Sequence, residues 1–173
     1  MQACIDAARD AVDRAIHNVL LSRSRVLFVV SRSCGTDAVV YEYSRRALHD
    51  YRAGGGAEAL GRLVRLRWVL DGGAVVADVP WLKRKLLEVA VLEGEDGVLR
   101  VALRPPGLRN LDCRVGFDAA DRPRVVAVLD GVPAHLTHAW VEYAPILPVP
   151  LGGILFGCAE RDGAPKEQRF SVL

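Results

Sequence analysis

Cys34 stands in the run Ser33-Cys34-Gly35-Thr36-Asp37, between two segments rich in β-branched residues. A hairpin turn there would expose its thiol, and an exposed thiol becomes nucleophilic when a cationic neighbour lowers its pKa. No histidine lies beside it in the chain, so His49 or His138 would have to be brought close by folding to serve as base. No signature of a cysteine enzyme surrounds it, and the expected role is that of a turn residue.

His135 and His138 have the spacing His-Leu-Thr-His, which on a helix would put both rings on one face and invite a metal. The following Trp-Val-Glu-Tyr favours a strand instead. With a period of two, His135 shares a face with Thr137 and Val141, and His138 shares one with Leu136 and Trp140. The expectation is therefore opposite faces and no metal. Gly54-Gly55-Gly56 with Gly61 lacks the Lys-Ser or Lys-Thr that a phosphate loop needs after its last glycine, since Arg62 and Leu63 follow. Gly152-Gly153 with Gly157 lacks dinucleotide spacing and reads as a glycine-rich β-bulge. The acidic pairs Asp118 with Asp121 and Glu93 with Glu95 fall in turn-like segments, where carboxylates serve hydrogen bonding and solubility.

Two basic clusters remain, Arg62, Arg65 and Arg67, and Lys83, Arg84 and Lys85. If they converged they could contact phosphates, but only 6% of residues are aromatic and these sit in apolar runs, so no base-stacking platform is evident. The net charge of +2, from 23 basic and 21 acidic residues, supplies no strong field toward nucleic acid or an anionic membrane.

The elements that must position these residues belong to a globular chain of 173 residues, 51% hydrophobic and 25% charged, enough for one core. Cys4, Cys34, Cys113 and Cys158 are widely separated and form no CxxC pair, which fits a reducing compartment. The first residues interleave charges with apolar positions and leave no secretory core. The stretch from Tyr143 to Ala159 is broken by Pro145, Pro148, Pro150 and glycines, so membrane insertion is not expected. The expected location is the cytoplasm, within a cytoskeletal or other large assembly.

From Ala3 to Leu20, Ile5, Ala8, Val12, Ala15, Ile16 and Val19 recur at helical steps, predicting an amphipathic helix docked through Ile5, Val12 and Ile16. Beyond Ser22 the pattern becomes strand-like. Val26–Val30 and Ala38–Tyr43 read as an antiparallel hairpin, 53–61 as a flexible connection, and Leu63–Leu70 as a third strand. Pro80 opens a short helix over Trp81–Leu87. Strands are expected at 88–92, 98–103, 112–117, 125–130, 134–143, 154–160 and 169–172. Such spacing predicts a mainly β (α+β) fold, an antiparallel β-sandwich or partly open barrel with an N-terminal amphipathic helix and one short internal helix. Residues 1–22 form that helix packed on the domain, and 23–173 form a single β-rich domain.

The run Leu27-Phe28-Val29-Val30-Ser31-Arg32-Ser33, continued by Ala38-Val39-Val40-Tyr41-Glu42-Tyr43, resembles the opening hairpin of an uncharacterised family, the domain of unknown function 4833. Leu66-Arg67-Trp68-Val69 is similar to that family's tryptophan-bearing strand, and Leu82-Lys83-Arg84-Lys85-Leu86-Leu87 to its basic-apolar helix. Asp130-Gly131-Val132-Pro133-Ala134-His135-Leu136 is similar to its late turn and strand, and Gly157 and Gly163 fall where it has glycines. The likeness spans about residues 26–172 and implies a β-rich fold; the family has no established activity to carry over.

Functionally, the residues point to a non-catalytic structural or protein-binding subunit of a larger assembly, without cofactor or metal. Ile146, Leu147 and Val149, in the proline-broken apolar segment, and Lys83, Arg84 and Lys85 are the candidate interface with other proteins. A carrier of a small apolar ligand inside a half-open barrel is the first alternative. An enzyme with a Cys34 nucleophile is the second.

Overall fold

The computed structural model describes residues 25–33, 37–69, 75–76, 79, 81–105, 107–144 and 149–172. The amphipathic stretch 3–20, with Ile5, Val12 and Ile16, lies outside the described residues, as do Cys34, Ile146 and Leu147.

The chain is mainly β. Its strands are β1 (Val26–Arg32), β2 (Ala38–Tyr43), β3 (Val64–Val69), β4 (Val75–Val76), β5 (Val89–Glu93), β6 (Leu99–Leu103), β7 (Cys113–Phe117), β8 (Pro123–Leu129), β9 (Val132–Tyr143), β10 (Pro150–Ala159) and β11 (Pro165–Ser171). Helical turns are α1 (Arg45–Asp50), α2 (Gly56–Gly61) and α3 (Trp81–Leu87), with a π-helical turn over Tyr51–Gly55 joining α1 to α2.

β9 organises the sheet. One of its edges pairs with β10 along nearly its whole length. The other edge is shared. Its first half pairs antiparallel with β8, from Leu129 opposite Val132 to Val126 opposite His135. Its second half pairs in parallel with β1, from Val29 opposite His138 to Arg32 opposite Val141. The sheet forks there into a β1-β2-β3-β4 branch and a β8-β7-β6-β5 branch. The two branches curl over a common core into a partly open barrel, drawn together where β3 and α2 meet β5. The Tyr41 hydroxyl donates to the Leu87 carbonyl at 2.7 Å, fastening β2 to the segment that leads into β5.

The core holds Phe28, Tyr41 and Leu63 from one branch, Val101, Cys113 and Val125 from the other, and Leu136 and Leu155 from the shared strands. The Phe28 and Tyr41 rings stack with centroids 4.3 Å apart. The β1-β2 hairpin is buried on both faces, because Val26, Val29, Ala38 and Val40 form a second cluster on its other side with Val69 of β3. That explains why β1 and β2 are continuous apolar runs rather than alternating ones. A bulge at Leu27 puts Leu27 and Phe28 both toward the core.

At the fork, Arg124 of β8 spans the gap. Its Nη1 donates to the Val26 carbonyl at 3.2 Å, while Nη2 and Nε donate to Asp118 Oδ2 at 2.9 and 3.1 Å. Arg122 Nε reaches the same Asp118 oxygen at 2.9 Å.

Residues 53–61 are helical and not the flexible connection that their glycines suggest. Ser44 caps α1, its Oγ accepting from the Ala47 N–H at 3.3 Å, and Ala47, Leu48, Ala59 and Leu60 are buried. Gly54, at φ +93°, absorbs the kink where one helical turn passes into the next.

Candidate functional site

Of the expected interface residues, Val149 and Lys83, Arg84 and Lys85 lie among the described residues. Val149 is 48% exposed, just before β10. Lys83 lies in α3, and Arg84 and Lys85 follow it with exposed side chains. They share α3 with Leu86, which is 52% exposed. Leu92, the fourth residue of β5, is 59% exposed, on the face opposite the buried Val89 and Val91. His49 is exposed at the end of α1 beside Asp50, 3.8 Å away.

The two histidines of β9 share a face. Between Leu136 and His138 the register with β10 slips by one residue, so that Phe156 faces His138 while Gly157 faces Leu136. The extra residue, Thr137, resets the alternation: Ala134, Leu136, Ala139 and Val141 all enter the core, and His135 and His138 both fall on the other side. The expectation of opposite faces is thus corrected by a bulge that a strict period of two cannot register. No group of three or more His, Cys, Asp or Glu side chains able to hold a metal occurs among the described residues.

On this outer side lies a buried polar cluster. Ser31 Oγ and His138 Nε2 are 2.8 Å apart, and the two residues are only 2% and 5% exposed. The His138 ring stacks on Phe156 at 5.2 Å. Trp140 Nε1 and His135 Nδ1 are buried nearby in sequence with no hydrogen-bond partner among the described residues. A serine hydroxyl against an imidazole is the pairing that a nucleophilic mechanism uses, but here both residues are buried.

A second arrangement, absent from the sequence reading, forms where the turn at 107–111 meets the C-terminal end of β11. Gly107, at φ +88°, lets the backbone approach Phe170 so closely that a Cβ there would lie 3.1 Å from its ring. The turn is closed by Leu108 N–H to Pro105 O at 3.0 Å and Leu111 N–H to Leu108 O at 3.1 Å. Leu108 is drawn into the core, while Arg109 and Asn110 stay exposed. Between this turn and β10-β11 opens a cleft of about 430 Å³, lined by Leu108, Leu111, Leu155, Phe170, Arg109 and Gln168 among others. The core between the two branches is by contrast tight among the described residues: a void among Leu27, Phe28, Tyr43 and Val101 measures about 10 Å³, no more than one water. The Pro105-Pro106-Gly107 sequence announces a turn, but nothing local signals that Gln168 and Phe170 lie across from it.

Burial pushes the Cys113 thiol up to about 12, with the Asp112 charge adding to the rise, which makes this cysteine a core residue and no nucleophile. No helix among the described residues is long and apolar enough to cross a membrane. No family model, curated protein or solved structure matches the chain.

Proposed function

We propose that this protein is a non-catalytic binding subunit of a protein assembly, and that α3 and β5 form its contact surface. The observation that carries the reading is the pair Leu86 and Leu92, the first 52% and the second 59% exposed on consecutive elements. Isolated exposed leucines are ordinary, but here Leu86 follows directly on the exposed Arg84 and Lys85. An apolar position next to positive charge suits a partner surface that mixes apolar and acidic residues. The seclusion of Ser31 and His138 supports the non-catalytic part of the proposal, because side chains 2% and 5% exposed offer a substrate no open approach. The void of about 10 Å³ among Leu27, Phe28, Tyr43 and Val101 leaves no room for an apolar ligand at that place in the core.

The test is a comparison of the tagged wild-type chain with a Leu86→Ser/Leu92→Ser variant, each purified from the native source. The wild type is expected to retain a partner in near-stoichiometric amount, and the variant to lose it while keeping the wild-type circular dichroism spectrum. Equal recovery of the same proteins by both chains would remove the reading.

A further inference from the structure

We propose that the cleft between the 107–111 turn and β11 binds a small amphipathic carboxylate, with its head group on Arg109 and its apolar body on Leu108, Leu155 and Phe170. The site shares no residue with α3 or β5 and does not depend on the protein interface.

The volume comes first. At about 430 Å³ the cleft falls within the range of small-molecule sites, roughly 300 to 1,000 Å³, and it is a surface cleft that a ligand can enter without opening the core. The lining is divided by chemistry. Leu108 and Leu155, each 1% exposed, form a floor with Phe170, while the polar groups lie at the turn and on β11. Among the described residues that line it, Arg109 carries the one full charge and there is no carboxylate.

Arg109 is also prepared for an anion. Its Nε donates to the Arg104 carbonyl at 3.1 Å, which anchors the guanidinium, and its two terminal nitrogens make no hydrogen bond or ion pair with any described residue. Elsewhere in the molecule Arg52 is committed to Asp121, Arg100 to Asp96, Arg104 to Glu88 and Arg114 to Glu160. A planar guanidinium whose edge between the two terminal nitrogens is open beside an apolar floor fits a carboxylate in bidentate fashion. Gln168 adds to the same polarity. Its Oε1 accepts from the Asp130 N–H at 3.0 Å, so what it can still offer a ligand is its amide N–H groups. A cationic amphiphile would find no countercharge there, and a purely apolar one would leave Arg109 unused.

The experiment titrates octanoate into the ¹⁵N-labelled chain and follows backbone amide shifts. Octanoate is expected to move the resonances of residues 107–111 and 168–172, and octylammonium to leave them in place. Arg109→Gln should weaken octanoate binding about tenfold or more, the effect of losing one charge-assisted hydrogen-bonded pair, with an unchanged spectrum elsewhere. Octanol binding as tightly as octanoate, or Arg109→Gln binding it as the wild type does, would show an apolar crevice and overturn the assignment. Shifts centred on other residues, or none up to the solubility of octanoate, would overturn it as well.

Discussion

Ser31 and His138 meet side chain to side chain across the parallel pairing of β1 and β9, with Oγ and Nε2 2.8 Å apart and 107 residues of chain between them. In a buried setting this bond is worth most when it is broken from one side, because the remaining group keeps its desolvation cost. Ser31→Ala is expected to destabilise the fold by about 1 to 3 kcal/mol, read from equilibrium urea unfolding. A change within about 0.3 kcal/mol would show that His138 is satisfied without the serine.

Acid stability should depend on Asp118. Burial raises its pKa, but the backbone N–H of Arg122, the Arg124 guanidinium, the Ala120 N–H and the Arg122 guanidinium together outweigh burial and hold it at about 2. In the unfolded chain a carboxyl of this type titrates near 4, at roughly 3.9. The folded value is the lower one, so the stabilisation is fully present above the unfolded value and is lost as pH falls from there through about 2. Asp118→Asn should therefore be less stable than the wild type at pH 7 and show a flatter fall in melting temperature between pH 4 and pH 2. Parallel acid limbs in the two proteins would refute this.

Cys113 should resist alkylation in the folded protein. With its thiol pushed up to about 12, almost none is thiolate at pH 8, and the side chain is 2% exposed. Mass spectrometry after iodoacetamide treatment at pH 8 is expected to find Cys113 unmodified in buffer and modified in 8 M urea. Labelling at equal rates in both would mean that the β7-β8 region opens readily.

Gly153 of β10 has no room for a side chain. A Cβ there would run into the Trp140 carbonyl and lie 2.8 Å from Phe170 Cζ, so the ring covers the glycine where a side chain would otherwise stand. Gly153→Ala should cost at least about 2 kcal/mol by overpacking, measured by thermal or urea unfolding. Gly131, in the β8-β9 turn, has open space beside it but a φ of +74°, so Gly131→Ala should cost less, about 1 kcal/mol from backbone strain alone.

Tyr41→Phe should keep the stack on Phe28 and lose the hydroxyl bond to the Leu87 carbonyl. A loss of about 1 kcal/mol in unfolding free energy is expected, with β5 amides exchanging faster because that bond fastens the segment ahead of it.

Much of the strand framework is legible in residue types. Val26–Val30 and Ala38–Tyr43 are β-branched and aromatic runs around a turn, and Trp81–Leu87 begins after a proline and is helical as expected. Residues 45–61 are not legible in the same way, because Gly54, Gly55 and Gly56 obscure a helical run whose stability comes from Leu48 and Leu60 packing into the core. The faces of His135 and His138 depend on a one-residue bulge, which is a property of the pairing with β10 and not of the local sequence. Arg109 is one arginine among many until the fold sets it beside Phe170, some 60 residues away.

The fork at β9 has a consequence for how the chain can assemble. The β1-β2 hairpin is local and can close early, yet the outer edge of β1 has no partner until β9 arrives, 107 residues later by the Ser31–His138 separation. At roughly 5 to 20 residues per second, a nascent chain would hold an apolar hairpin with an open edge for about 5 to 20 seconds. Parallel pairing over that distance also places β1-β9 docking among the slow steps of refolding, since the loop entropy comes due before the contact forms. Aggregation during synthesis should therefore centre on the segment 26–43, and a chaperone that shields extended apolar edges would find its substrate there.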